Sequence, residues 1–194
     1  MALKRVTRGG TPVRIPLICD PDMQVAIFCA PIDAANREHG ELTKENEAAW
    51  KAAVVKAEAE MADRLKLFAE SLDSTHLGLP DTVLKNATHV TIRGLDGRER
   101  HNIATGVALM HPEFVDDANK AERIKASHAI NLEITRRCLL AIDGFDERQV
   151  VCGDGVARFP EEVLFDIREY GAFVREIATR METVSTLGER QASP

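Results

Sequence analysis

Aromatic residues are scarce in this sequence, which contains seven Phe, one Tyr and one Trp among 194 residues. Its hydrophobic core must therefore be built mainly from aliphatic side chains. Hydrophobic residues still make up 44% of the chain, which is an ordinary share for a globular protein. A chain of this length can bury most of its apolar surface without disulfides or metals. The composition therefore predicts one domain, or one domain with an appended arm.

Close cysteine pairs, long apolar runs and a secretory signal are also lacking. The four cysteines, Cys19, Cys29, Cys138 and Cys152, form no C-x-x-C pair and are predicted to be reduced thiols. No apolar run approaches the ~20 residues that cross a bilayer. Residues 1–15 have neither the apolar stretch nor the cleavage site of a signal peptide. We therefore expect a cytoplasmic protein without a membrane segment.

The sequence lacks the common catalytic motifs. It has no G-x-x-x-x-G-K-[ST] phosphate loop, no G-x-G-x-x-G fingerprint, no H-E-x-x-H and no G-x-S-x-G. None of the six histidines lies four residues from another, the helical spacing for shared metal binding. A zinc site made from Cys138, Cys152 and His101 stays an alternative, although structural zinc sites usually have closely spaced ligand pairs. We predict no enzyme, no metal and no cofactor.

Two acidic motifs and one histidine have both a functional and a structural interpretation. Asp20 and Asp22 could hold a divalent cation, but Pro21 between them favours a turn. Residues 153–155, Gly-Asp-Gly, resemble part of a calcium loop, but a hairpin turn is favoured because the rest of that pattern is missing. His128 falls on the predicted inner face of a helix, which favours a core histidine over a general base.

The net charge of −6 argues against a general phosphate-binding surface. The N-terminus is the exception, since Lys4, Arg5, Arg8 and Arg14 occur there with no acid among them. A solvated tail is the favoured interpretation, and contact with nucleic acid or an acidic partner is the alternative.

Residues 1–40 are predicted to form an irregular arm. Pro12, Pro16, Pro21 and Pro31 interrupt this region, so no long helix is expected in it. Its two apolar stretches, 13–19 and 23–29, could pair as a hairpin around the Asp20–Asp22 turn.

The rest of the chain is predicted to be a helical domain, residues 41–187, with a polar, unstructured tail at 188–194. A helix over 43–72 begins at Thr43 and carries an apolar stripe at near-heptad spacing. A short strand at 90–93 precedes a helix that opens with an Asp96–Glu99 capping box. A second long helix is expected over about 117–142, then a hairpin over 149–159 and a last helix from Pro160. The predicted fold class is mainly α (α+β), with three or four amphipathic helices, a small β-hairpin and an irregular, possibly β-containing arm.

Two apolar stripes are candidates for binding a partner protein, and the alternative for both is burial in the core. The predicted helix over 43–72 is longer than a domain of this size usually needs, so either it packs along another long helix of this chain, which is the favoured interpretation, or its stripe contacts a partner chain. The first stripe contains Trp50, Val54, Met61, Leu65 and Phe68, and the second contains Ile167, Tyr170, Val174 and Ile177.

Two segments of the sequence resemble bacteriophage tail assembly chaperones. The first is Val90-Thr91-Ile92-Arg93-Gly94-Leu95 followed by Arg98-Glu99-Arg100, which is similar to that family's short V-T-[LI] strand before an amphipathic helix. The second runs from Thr135 through Asp143-Gly144-Phe145 and a hairpin to Phe159-Pro160-Glu161-Glu162-Val163-Leu164, and it resembles the family's C-terminal half. The resemblance covers roughly residues 88–185, and almost ninety residues precede it, whereas the family places this strand and helix near its N-terminus.

The resemblance implies a protein that binds other proteins during tail assembly. Tail assembly chaperones bind the tape-measure protein, so the expected partners are tape-measure-type or other phage proteins, with a homo-oligomer as a further possibility. The expected location is the host cytoplasm. The long N-terminal extension favours an alternative, a structural virion component of the neck, tail or baseplate, which would be located in the virion.

Overall fold

The computed structural model describes residues 11–110, 112 and 120–191. The protein is mainly helical with small antiparallel β-structure, as the sequence predicts. The helices are α1 (Pro21–His39), α2 (Glu47–Ser71), α3 (Asp81–Asn86), α4 (Gly97–Met110), α5 (Lys120–Cys138), α6 (Glu161–Phe165) and α7 (Tyr170–Gln191), with a 3₁₀ helix at Ser74–Leu77. The strands are β1 (Val13–Pro16), β2 (His89–Ile92), β3 (Leu139–Ile142), β4 (Val150–Val151) and β5 (Ala157–Arg158).

The chain divides into two compact units, whose boundaries differ from the predicted ones. The helical unit comprises residues 16–88, and the mixed unit comprises residues 1–15 together with 89–194. The predicted boundary at residue 40 falls between α1 and α2, which pack against each other inside the helical unit. Residues 16–40 of the predicted arm and the long helix that follows therefore belong to the same compact unit, whereas residues 13–15 of β1 belong to the mixed unit.

The prediction of an irregular or β-structured segment is wrong for residues 21–39, which form α1. Pro21 lies in the first turn of the helix, where the missing amide hydrogen has no intrahelical partner to lose. Pro31 lies inside the helix and is buried together with Met23 and Ala35. Packing against α2 thus outweighs the cost of an internal proline. Part of the first stretch, Val13–Pro16, does form a strand.

Asp20 caps the N-terminus of α1 and also bonds with Thr88, the last residue of the helical unit. Its Oδ1 accepts hydrogen bonds from the amides of Asp22 and Met23, at 2.9 and 3.3 Å. Its Oδ2 accepts from the amide and hydroxyl of Thr88, at 3.1 and 2.6 Å. Asp20 is therefore more than the turn residue that the sequence favours. It caps α1, and it also forms long-range hydrogen bonds with Thr88. Burial opposes ionisation of Asp20, but these hydrogen bonds outweigh it and lower its pKa.

The core of the helical unit lies where α1, α2 and the segment after α2 meet. Leu72 ends α2 in the left-handed conformation, with φ of 60°. The chain then returns through the 3₁₀ helix and α3 to pack on α1 and α2. The predicted cap Thr43 instead precedes the helix, which begins after Asn46. The core residues of this unit are Met23, Met61, Phe68, Leu77, Leu79 and Ala87.

The mixed unit contains a three-stranded sheet in the order β1-β2-β3. Strands β2 and β3 are antiparallel, with Val90 opposite Ile142 and Ile92 opposite Leu139. The prediction of a helix up to residue 142 is wrong, because α5 ends at Cys138 and residues 139–142 form β3. A short apolar run such as Leu-Leu-Ala-Ile fits a buried helix and a buried strand equally well. Here the pairing with β2 makes residues 139–142 a strand. The predicted start, residues 117–119, lies outside the described residues.

The last helix of the prediction is two helices. Glu169, with φ of 62°, separates α6 from α7. The predicted unstructured tail is wrong for residues 188–191, because α7 continues to Gln191. Residues 192–194 lie outside the described residues.

The predicted hairpin is confirmed as β4 and β5. The predicted capping box is also confirmed, since Glu99 N donates to Asp96 Oδ1 at 2.7 Å and Asp96 N donates to Glu99 Oε2 at 3.0 Å.

We expect Asp20→Ala to lower the free energy of unfolding of the helical unit by about 1–3 kcal/mol at neutral pH, because it removes both the cap and the Thr88 tether. Since the pKa of Asp20 is lowered on folding, this stabilisation is complete above pH ~4. It is lost as the pH falls through the lowered pKa. Urea unfolding followed by fluorescence of Trp50, the single Trp, reports on this unit.

Asp33→Ala is the matched control, because Asp33 is an exposed acid on the same helix. It should change the unfolding free energy by less than about 0.5 kcal/mol. A deficit for Asp20→Ala that stayed constant down to acidic pH would contradict the assigned role of the carboxylate.

Candidate protein-binding surfaces

The structure places the first predicted stripe inside the helical unit. Met61 and Phe68 are buried in the core. Trp50, Val54 and Leu65 are half-buried, and Leu65 packs against that core. The indole Nε1 of Trp50 donates to Asn36 Oδ1 at 2.8 Å. In this fold the stripe packs α2 against α1, which agrees with the favoured interpretation of packing within the chain.

The second predicted stripe is also directed mainly inward. Val174 and Ile177 are fully buried, and Ile167 and Tyr170 are half-buried. The ring of Tyr170 lies 4.9 Å from that of Phe165 and 5.5 Å from that of His128, measured between centroids. Burial raises the pKa of Tyr170, and the nearby charge of Glu161 adds to the effect, so the phenol stays protonated. Its Oη is buried without a hydrogen-bond partner in the described part of the chain.

Two exposed apolar residues on α1 form a surface that the sequence reasoning missed. Val25 and Phe28 are 62% and 73% exposed. They lie three residues apart, and half-buried Ile32 lies four residues further on, so the three share one helical face. The spacing is visible in the sequence, but in the predicted strand over 23–29 Val25 and Phe28 lie on opposite faces.

The mixed unit contains a groove between α4, α5 and the turn of the β4–β5 hairpin, called here the hairpin groove. Its volume is about 630 Å³. Ile103 and Val107 are the buried apolar residues in its lining, and Leu109 and Met110 are 78% and 68% exposed. Large exposed apolar side chains beside a groove are typical of a protein-binding surface.

A network of ion pairs forms the polar wall of the hairpin groove. Glu133 Oε1 accepts from Arg137 and from Arg158, both at 2.7 Å. Arg158 also contacts both carboxylate oxygens of Asp154 at 2.8 Å, and Arg136 pairs with Glu161 at 2.8 Å. The hydrogen bonds from Arg158 lower the pKa of Asp154, and those it donates to Asp154 raise the pKa of Arg158. Every arginine of this groove is therefore paired, and the 153–155 turn is held to α5 through Arg158.

A second groove of the mixed unit lies between α5 and α7 and is called here the α5–α7 groove. Its volume is about 350 Å³. His128 lies here and is exposed, so its predicted position in the core is wrong. Among the described residues of α5, Thr135 and Cys138 are buried, and Thr135 lies two helical turns after His128 on the same face. The lining comprises Arg123, Ile124, Ser127, His128, Asn131, Gly171, Val174 and Arg175.

The described residues contain no group of three or more His, Cys, Asp or Glu side chains that could hold a metal ion. Cys138 is fully buried, and this burial raises the pKa of its thiol, which disfavours the thiolate that zinc binding requires. None of the described helices is long and apolar enough to span a bilayer. Comparison with protein families, with curated proteins and with solved structures finds no match for this chain.

Phe68→Ala should lower the free energy of unfolding of the helical unit by about 3–5 kcal/mol, because it leaves a cavity in the core. The neighbouring Leu67→Ala, at an exposed position, should cost less than about 1 kcal/mol. Urea unfolding followed by Trp50 fluorescence measures both. Small, equal losses would contradict the core assignment and would make the stripe available to a partner.

Proposed function

We propose that this protein is a non-enzymatic, protein-binding factor in bacteriophage tail morphogenesis, similar in role to tail assembly chaperones. The resemblance over residues 88–185 supports the proposal, because it coincides with the part of the mixed unit that begins at His89. The element order there supports the proposal in part, because strand β3 precedes the Asp143-Gly144 turn where the family's pattern has the end of a helix. A short strand precedes an amphipathic helix, and an Asp-Gly turn, a hairpin and a closing helical segment follow.

The hairpin groove carries the proposal, since it is an accessible apolar surface within the chaperone-like region. The residues of the two predicted stripes are buried or half-buried, so these stripes are not accessible to a partner in this fold. Leu109 and Met110 are exposed instead, and a flexible Met side chain adapts to varied partner surfaces. An amphipathic helix of a tape-measure-type protein could place apolar side chains between them and the floor of the groove. Covering such a helix would keep it from aggregating until the tail tube forms around it.

The alternative is a structural component of the neck, tail or baseplate, and the helical unit favours it. Residues 16–88 are a compact unit of their own that the chaperone pattern does not include. This unit exposes Val25 and Phe28 on one face of α1, which would suit a permanent contact in an assembled particle. In this alternative the protein is located in the virion, whereas a chaperone acts in the host cytoplasm.

Deletion of the coding sequence from the phage, followed by electron microscopy of the lysate, tests the shared part of both proposals. We expect heads without normal tails. Quantitative mass spectrometry of purified wild-type particles then separates the two. Many copies per particle would establish the structural component, and absence from particles would support the chaperone. Normal, infectious tailed particles from the deletion would contradict both proposals.

The double variant Leu109→Glu with Met110→Glu should lose binding to the tape-measure-type protein by at least about tenfold, because two charges replace the exposed apolar residues of the groove. Its melting temperature should change little, since both side chains are exposed. Co-purification of the co-expressed pair measures the binding. Leu42→Glu, an exposed leucine outside the mixed unit, is the control and should bind normally. Equal binding by all three proteins would exclude the hairpin groove as the contact.

A further inference from the structure

We propose that this protein binds a second copy of itself head to tail, with the apolar face of α1 in one copy seated in a groove of the helical unit in the next. The apolar face is the one formed by Val25, Phe28 and Ile32. The groove lies on the same unit, between α1, α2 and residues 78–83, and is called here the α1–α2 groove. The inference goes beyond the proposed function, because it names the occupant of a surface on the helical unit and holds for either proposed role of the protein.

The α1–α2 groove has an apolar floor and room for apolar side chains. Its volume is about 580 Å³, which exceeds that of one Phe and one Val residue together. Met61 and Leu79 in its lining belong to the buried core of the helical unit, so the floor is a fixed part of the fold. An apolar side chain that entered the groove would be removed from water against this floor, which favours binding.

The apolar face and the groove lie on opposite sides of α1. Ala26 and Ala30 line the groove, and each is two residues away from Phe28. Two residues correspond to about 200° around a helix, so Phe28 points away from the groove. The two surfaces therefore cannot meet within one molecule. They meet when copies associate head to tail, and a heterologous contact of this kind generates a ring or a filament.

The apolar face of α1 has an acid beside it and no base. Residues 21–36 contain no Lys, Arg or His. Asp22 lies one helical turn before Val25 and is exposed. A surface that binds this face is therefore expected to carry positive charge at its edge.

The α1–α2 groove has such charges on its rim. Arg37 and Arg64 line it, and within the described ranges their guanidinium groups make no ion pair or hydrogen bond. Nη1 of Arg64 lies 2.5 Å from the place that a Cβ at position 78 would take, so Gly78 leaves the space that this guanidinium occupies. Asp33 and Glu60 also line the groove, so its rim is neutral in total and adds nothing to the repulsion between two copies of net charge −6. A second copy fits this groove, because it carries both the apolar face and the adjacent acid.

The contact is small, since three side chains enter one groove. Interfaces that bury less than about 1,000 Å² are usually weak. We therefore expect self-association with a dissociation constant of about 1–100 μM.

Analytical ultracentrifugation of the purified full-length protein, at concentrations on both sides of this range, tests the proposal. We expect a mass that rises with concentration above the 21.4 kDa of the monomer. Phe28→Glu should weaken the association at least about tenfold, because it places a charge in the apolar contact. The double variant Arg37→Glu with Arg64→Glu should do so from the groove side, because it makes the rim acidic. Val55→Glu, at a 64% exposed valine of α2 outside the groove, is the control and should associate like the wild type.

Mixing Phe28→Glu with the double arginine variant distinguishes a head-to-tail contact from a symmetric one. The first variant keeps an intact groove and the second keeps an intact apolar face, so the mixture should form a 1:1 complex that grows no further. A symmetric dimer through one surface would be weakened by only one of the two variants, and mixing would not restore it.

Circular dichroism checks that each variant has the wild-type helix content. A wild-type monomer at every concentration, a loss confined to one of the two variants, or an equal loss for Val55→Glu would each overturn the proposal. No phage component is used, so these outcomes are independent of the tail-assembly experiments.

Discussion

The mixed unit depends on the burial of one face of α7. Phe173, Val174, Ile177, Met181 and Val184 on this helix are all buried, and each such side chain contributes roughly 1.5–3 kcal/mol relative to exposure. Two buried hydroxyl groups fix the direction of the packing. The Thr135 hydroxyl donates to Val174 O at 3.1 Å and holds α5 against α7. The Ser185 hydroxyl bonds with the backbone of Leu95 at 3.1 Å, and a Cβ at Gly94 would lie 3.0 Å from the Cα of Ser185, which is closer than an ordinary contact.

Because α7 holds α5 in place, α5 can serve two surfaces at once. Its N-terminal half, with Arg123 and His128, lines the α5–α7 groove. Its C-terminal half, with Glu133, Arg136 and Arg137, forms the polar wall of the hairpin groove. Both grooves therefore take their geometry from the same packing, and a change that loosened α5 from α7 would affect both.

The elements that the sequence predicts correctly have local causes. The capping box of α4 needs only Asp96 and Glu99, and the stripe of α2 is a repeat along one helix. The errors arise where distant contacts decide the outcome. Helix α1 tolerates Pro31 because it packs on α2, and residues 139–142 become a strand because β2 lies beside them. Met110, Arg137 and Asp154 line the hairpin groove and come from three different elements. No pattern within one segment of the sequence predicts that these side chains lie close together.

The arginines of the hairpin groove are paired within the protein, and this pairing bears on what the groove can recognise. In the hairpin groove Arg136, Arg137 and Arg158 are each bound to a carboxylate of the protein itself. A partner could bind these arginines only by breaking their ion pairs. Breaking a partly buried pair costs more free energy than the new contact would recover. The hairpin groove therefore favours an apolar helix face.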